Sequence, residues 1–242
     1  MDNTFVEAVE KLVLKSTEVQ EINGEFYSPV QLHRIKEHFK PESLKVNTLS
    51  GFLDYIHGNL DKLDFEKEVV IHIVSYNKVM LLSNLDDELS RECYIQAMPL
   101  NESKNFENWQ NQEQFIINLN SQFVDTPDKK ELLQFVSKIV VNDENSVSDD
   151  GISQKASLKK GLSGSLTEKK ESKSIVKLAP YRTFTEIEQP ISEFLFRMKM
   201  DSDKMPGLAL FESDGNSWKL DAMEKIRQWI LDNIKVQTLI IC

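Results

Sequence analysis

The sequence predicts an α+β fold: a helical N-terminal part, antiparallel strands in the middle, and a strand-rich C-terminal half closed by a helix. Three observations carry this. Apolar residues recur at spacings of three and four in the N-terminal segments 4–15 and 48–60, the signature of amphipathic helices. Val69, Ile71 and Ile73 then alternate with other residues in EVVIHIVS, the period of a half-buried strand. Beyond Ser213 the helical spacing returns, with Trp218, Ala222, Ile226, Trp229 and Ile230 on one face.

In order, a first helix runs over 4–15 with Phe5, Val6, Val9, Leu12 and Val13 as its stripe, and Thr4 with Glu7 forms a capping box. A turn at 21–24 and a short extended piece at Phe26 and Tyr27 follow. Pro29 opens a second helix carrying Leu32, Ile35 and Phe39, which Pro41 ends. Thr48 caps a third, with Leu49, Phe52, Leu53, Ile56 and Leu60 on one side. The alternating run, a turn at Tyr76 and Asn77, and KVMLLS make a hairpin. Residues 91–98 add a third antiparallel strand. A helix is expected over 106–123, with Trp109, Phe115, Ile116, Leu119 and Phe123 in its stripe, and Thr126-Pro127 starts another that buries Leu132, Leu133, Val136 and Ile139.

The acidic stretch NDENSVSDDG at 142–151 breaks the apolar period, so the chain divides into an α+β region at 1–141, a polar and basic hairpin or linker at 142–173, and a strand-rich region at 174–242. Strands are expected around Ile175 to Tyr181, over 193–200 and over 208–212, then the last helix at 217–233. The tail 236–241 reads as an edge strand or a disordered end.

Among 242 residues, 40% are hydrophobic and 28% charged, the balance of a globular chain. The formal net charge of −10 argues against a general nucleic-acid binder, which needs a surplus of Lys and Arg. With Cys93 and Cys242 as the cysteines, neither a disulfide framework nor a cysteine zinc site can be built, and a reducing compartment is the natural reading. No signal segment or membrane-spanning run is found. A soluble, cytoplasmic protein is expected.

Chemistry is sparse. His33, His38, His57 and His72 show no zinc-motif spacing, and Gly161-Leu162-Ser163-Gly164 lacks the strand and Gly-Lys-Ser/Thr ending of a phosphate loop. Asp86-Asp87, Asp149-Asp150 and the pair Glu186 and Glu188 read as solvated faces rather than acid/base pairs. The chain is therefore expected to be non-enzymatic, with no cofactor and no metal.

Binding signals are better. Eight Lys or Arg against two Glu lie between Lys155 and Arg182. Lys159 and Lys160, with Tyr181 and Phe184 nearby, suit either protected strand edges or contact with an anion or nucleic acid. In an extended strand Tyr181 and Thr183 share one side, Arg182 and Phe184 the other. Arg182 and Arg197 sit among apolar neighbours, where a guanidinium must find a partner. Glu186, Glu188 and Glu193 are the nearby candidates; a ligand is the alternative. Pro180 and Pro190 bias Ala179 and Gln189 toward extended geometry. The candidate binding residues are Lys159, Lys160, Tyr181, Arg182, Gln189 and Arg197.

The segments DDGISQKASLKKG, LAPYRTFTEIEQPISEFLFRM and LALFESDGNSWKLDAMEKI, with TLSGFLDYI and EQFIINLNSQF, together resemble the YfdQ-like family of phage and prophage proteins, a domain of unknown function. The likeness covers most of the chain. It implies a phage or prophage origin and a cytoplasmic site of action in an infected bacterium, and it carries no catalytic residues to transfer.

The function expected is that of a non-enzymatic phage accessory protein, a homo-oligomer binding a phage or host protein in host takeover, anti-defence or phage DNA metabolism. The alternative is a nucleotide or nucleic-acid binder, such as a signalling-nucleotide sponge, using the basic segment 155–182. A third reading is a hydrolase assembled from scattered Asp, Glu and His. No membrane partner is expected.

Overall fold

The computed structural model describes residues 3–16, 20–22, 25–27, 42–86, 89–100, 106–139, 148–149, 153–160, 166–200 and 205–242. Contacts group the chain into two units, Met1–Pro41 and Glu42–Cys242, a different division from the compositional one at 142 and 174. The architecture is α+β, as expected.

The first unit holds α1 (Asn3–Ser16) and an antiparallel pair, β1 (Gln20–Ile22) and β2 (Glu25–Tyr27). Thr4 lies inside α1 rather than capping it. The stripe stays on the surface, Phe5 and Leu12 being about seven-tenths exposed. The helix expected from Pro29 lies outside the described residues.

The second unit begins with β3 (Leu44–Val46), α2 (Leu49–Gly58), β4 (Val69–Ser75), β5 (Lys78–Ser83) and β6 (Cys93–Ala97). Next come α3 (Gln112–Gln122), α4 (Pro127–Val136), β7 (Ser148–Asp149), β8 (Ser153–Lys160), β9 (Leu166–Lys173) and β10 (Ile175–Leu178). The chain closes with β11 (Ser192–Met200), β12 (Pro206–Glu212), α5 (Trp218–Asn233) and β13 (Leu239–Ile241).

Among the described residues, five strands form a mixed sheet in the order β13-β4-β5-β6-β3. The β4–β5–β6 meander is antiparallel, as its alternation predicts, while β13 joins β4 and β3 joins β6 in parallel. The tail thus becomes an edge strand. Val69, Ile71, Ile73, Val79, Leu81, Ile95 and Ala97 form the core with Leu49, Phe52, Leu53 and Ile56 of α2 and Ile226 and Ile230 of α5. Thr48 caps α2, its hydroxyl accepting from the Gly51 N–H at 3.0 Å, and Asn59, with φ 39°, ends it. Leu60 therefore leaves the expected stripe and is 81% exposed.

A second layer packs α3 and α4 on the antiparallel sheet β10-β11-β12. Inward positions alternate: Val176 and Leu178, then Phe194, Phe196 and Met198, then Leu208 and Leu210. Phe115, Leu119, Phe123, Leu132, Phe135 and Val136 meet them from the helices. Thr126 caps α4, accepting from the Lys129 N–H at 3.1 Å, with Pro127 in the first turn. A third antiparallel sheet, β7-β8-β9, takes up the basic segment.

Candidate binding face and adjoining cleft

Residues 179–191 link β10 to β11, and they are not the extended spine the prolines suggest. Pro180, Arg182, Thr183, Phe184, Ile187, Gln189 and Pro190 are buried, while Tyr181 is 45% exposed, so the two-sided alternation expected there is absent. A buried connection must satisfy its own backbone. Gln189 does much of this: its Oε1 accepts from the Arg182 N–H at 3.1 Å, and its Nε2 donates to the Phe184 carbonyl at 2.8 Å. The Thr183 hydroxyl donates to the Tyr76 carbonyl in the β4–β5 turn. Phe184 and Ile187 enter the α2/α5 core.

Arg182 is 2% exposed. Its partner is not one of the neighbouring glutamates but Glu212, with Nη1 at 2.7 Å from Oε1, and Nη2 donates to Ser192 Oγ. The strand register explains the choice. Ser192 and Glu212 occupy inward-facing positions of β11 and β12, where the apolar row Phe194, Phe196, Leu210 turns polar. The guanidinium also lies 3.5 Å from the centre of the Trp218 ring, a desolvated cation–π contact. Burial pulls this group down to about 10, against the charges of Glu212 and Asp214 and the Glu212 hydrogen bond, which hold it up. The glutamates expected as partners work elsewhere. Glu186 Oε1 accepts from the Ser50 N–H at the start of α2 at 3.2 Å, Glu188 lies 3.6 Å from Lys225, and Glu193 lies 3.5 Å from Lys177.

Of the six candidate residues, then, Arg182 and Gln189 are engaged inside the fold. The Tyr181 N–H donates to the Gln122 carbonyl at 2.9 Å and its side chain is exposed. Lys159 and Lys160 end β8, opposite Thr167 and Leu166. Gly161 to Gly164 lies outside the described residues. Arg197 is half-buried at an outward position of β11, opposite Ala209.

That outward face of β10-β11-β12 holds a residue pattern that sequence spacing hid. Trp109 was expected in a helical stripe, but Asn111 caps α3, its side chain accepting from the Gln114 N–H at 2.8 Å. Residues before it run extended along β12, where Gln110 and Leu208 exchange backbone hydrogen bonds at 2.9 and 2.8 Å. Side chains there alternate: Trp109 turns to the outer face, 41% exposed, with Lys199 Nζ 4.2 Å from its ring centre and Phe211 edge-on at 6.0 Å. Gly207 lies beneath the ring, and a β-carbon there would meet it at 3.6 Å, an ordinary contact distance. Arg197, Leu195 and Ile175 continue the face in register. The polar residue Asn111 before Gln112 was the sequence signal available for this break.

Phe106, Asn108 and Gln110 point the other way, into a cleft of about 160 Å³ completed by Phe115, Asn118, Leu119, Gln122, Phe123 and Leu210. Its carboxamides are chained: Gln122 Nε2 donates to Asn118 Oδ1 at 2.9 Å, and Asn118 Nδ2 donates to Gln110 Oε1 at 2.7 Å.

Among the described residues, no three His, Cys, Asp or Glu side chains gather to hold a metal ion, and no helix is long and apolar enough to cross a membrane. Compared with known proteins, the chain matches no family model, no curated protein and no solved structure.

Proposed function

We propose that this chain is a non-enzymatic accessory protein that binds another protein through the outer face of β10-β11-β12. The observation that carries the reading is Trp109, 41% exposed on the outer sheet face with Lys199 and Phe211 against its ring. Trp and Arg dominate the energetics of protein interfaces because they combine large apolar area with a polar end. Here Trp109 stands with Arg197 and with Ile175, itself 53% exposed, on one surface. The cations Arg197 and Lys199 favour an acidic rim on the partner. The YfdQ-like segments argue for a phage or prophage protein, whose partner is a phage or host protein of the infected bacterium.

The test is capture from infected cells with the tagged chain and with a Trp109→Ala/Arg197→Ala variant, read by quantitative mass spectrometry. A protein retained by the parent and depleted at least ten-fold by the variant supports the reading. The same recovery with both, or no protein above the tag control, overturns it.

A second reading rests on the same ring and cations: stacking of a single-stranded nucleic acid on Trp109 with Lys199 and Arg197 at its phosphates. Binding of a labelled oligonucleotide that weakens steeply with salt and is lost in the same variant selects it.

A further inference from the structure

We propose that the cleft between α3 and β12 binds one uncharged six-membered heteroaromatic ring with an amide-type edge, the chemistry of a pyrimidine nucleobase. Size comes first. A cleft of about 160 Å³ matches the roughly 150 Å³ cavity that holds a benzene ring and falls short of the roughly 300 Å³ at which drug-sized sites begin. Shape and polarity follow from the lining. Phe106, Phe115, Phe123, Leu119 and Leu210 supply an apolar floor, and Asn108, Gln110, Asn118 and Gln122 supply the polar groups. No charged side chain lines it among the described residues, so a phosphate or carboxylate has no counter-charge there.

The carboxamide chain leaves defined groups for a ligand. Gln122 gives one Nε2 N–H to Asn118, and one lone pair of Gln110 Oε1 accepts from Asn118, while the opposite end of each amide makes no hydrogen bond among the described residues. Among the described residues Gln110 Nε2 and Gln122 Oε1 therefore remain as a donor and an acceptor, and Asn108 offers one of each. A pyrimidine base presents adjacent acceptors and N–H donors around a flat ring, which carboxamides read by paired hydrogen bonds. A sugar presents hydroxyls all round rather than one flat donor–acceptor edge.

The test uses the full chain and saturation-transfer NMR with uridine, cytidine, uridine monophosphate and glucose as probes. Expected are saturation transfer to the base protons of the pyrimidine nucleosides, an affinity unchanged between low and high salt, and binding weakened about ten-fold by Gln110→Leu, the scale of one lost paired contact. Asn108→Ala, at an exposed position, is the companion variant should Gln110→Leu unfold, and it weakens binding several-fold with an unchanged melting curve. No transfer to the nucleosides at millimolar concentration, binding of the monophosphate alone, glucose binding as well as uridine, or binding indifferent to both variants overturns the proposal. Since Trp109 faces away from the cleft, its replacement leaves this binding intact, which keeps the site distinct from the partner face.

Discussion

Arg182 and Glu212 meet at 2.7 Å inside the fold, where the arginine is 2% exposed and the glutamate side chain 27%. Each holds the other at the place where the β11/β12 inner face stops being apolar. Removing one partner of a buried pair leaves the other uncompensated, at about 3–5 kcal/mol. Arg182→Ala is expected to cost about 4 kcal/mol in urea unfolding at pH 7. Arg182→Lys keeps the charge but loses the fork to Glu212 and Ser192 and is expected to cost about half of that.

Gln189 bonds to the backbone of its own connection through both ends of its amide. Gln189→Leu keeps the volume and strands a buried N–H and a buried C=O, each costing about 1–3 kcal/mol. The expected loss of about 3 kcal/mol corresponds to a melting point lower by about 9 °C for a unit of this size. Calorimetry checks it; a shift under 2 °C means the connection finds other partners.

Lys129 is 3% exposed on α4, with Nζ donating to the Phe123 carbonyl at 2.7 Å and to Asp125 Oδ1 at 2.8 Å. The hydrogen bond and charge of Lys129 hold the Asp125 carboxyl below its ordinary value. The unfolded chain therefore takes up this proton first as pH falls, so the stabilisation is complete above the ordinary carboxylate pKa of about 3.9 and fades as pH falls through the lower folded value. Asp125→Asn is expected to lower the urea midpoint at pH 7, and the gap from the parent is expected to narrow as the pH falls below the ordinary carboxylate pKa of about 3.9. A gap constant over that range contradicts the pairing.

Two glycines should respond oppositely to alanine. At Gly207 a β-carbon meets Lys199 and Trp109 at 3.4 to 3.6 Å, ordinary contact distances, so Gly207→Ala is expected to stabilise by about 0.5 kcal/mol through lost freedom in the unfolded chain. Gly215 has φ +63°, a left-handed conformation that costs an L-residue about 1 kcal/mol. Gly215→Ala should therefore destabilise by about that amount in the same denaturation series.

What was legible in the sequence was local. Thr48 and Thr126-Pro127 announce helix starts because capping is settled within four residues, and the alternation in β4 and β5 announces a hairpin because its turn is adjacent. β3 carries no signal in the sequence and β13 only an ambiguous one, because three-residue strands have no period and exist only through partners remote in sequence. Sequence proximity offers Arg182 the glutamates a few residues away or a ligand, whereas its partner lies 30 residues on and is chosen by strand register. Trp109 escaped for a related reason: its spacing suits a helix stripe, and only the pairing of Gln110 with Leu208 pulls it onto a sheet face. The cleft, assembled from residues on both sides of that break and from β12, had no signal of its own.

The parallel pairing of β13 with β4 bears on how the protein is made. Thr238, just before β13, donates to the Val69 carbonyl from 169 residues away, and closing a loop of that length costs roughly 4–5 kcal/mol of chain entropy before the contact returns anything. During synthesis β4 emerges with its hairpin partner at once, but its other edge stays open until β13 follows, on the order of ten seconds or more later at ordinary translation rates. VVIHIVS with one bare edge is a template for pairing with another nascent chain. Completion of this sheet is thus a late event in the growth of the chain, and the yield of folded protein should depend on how well β4 is shielded in the interval.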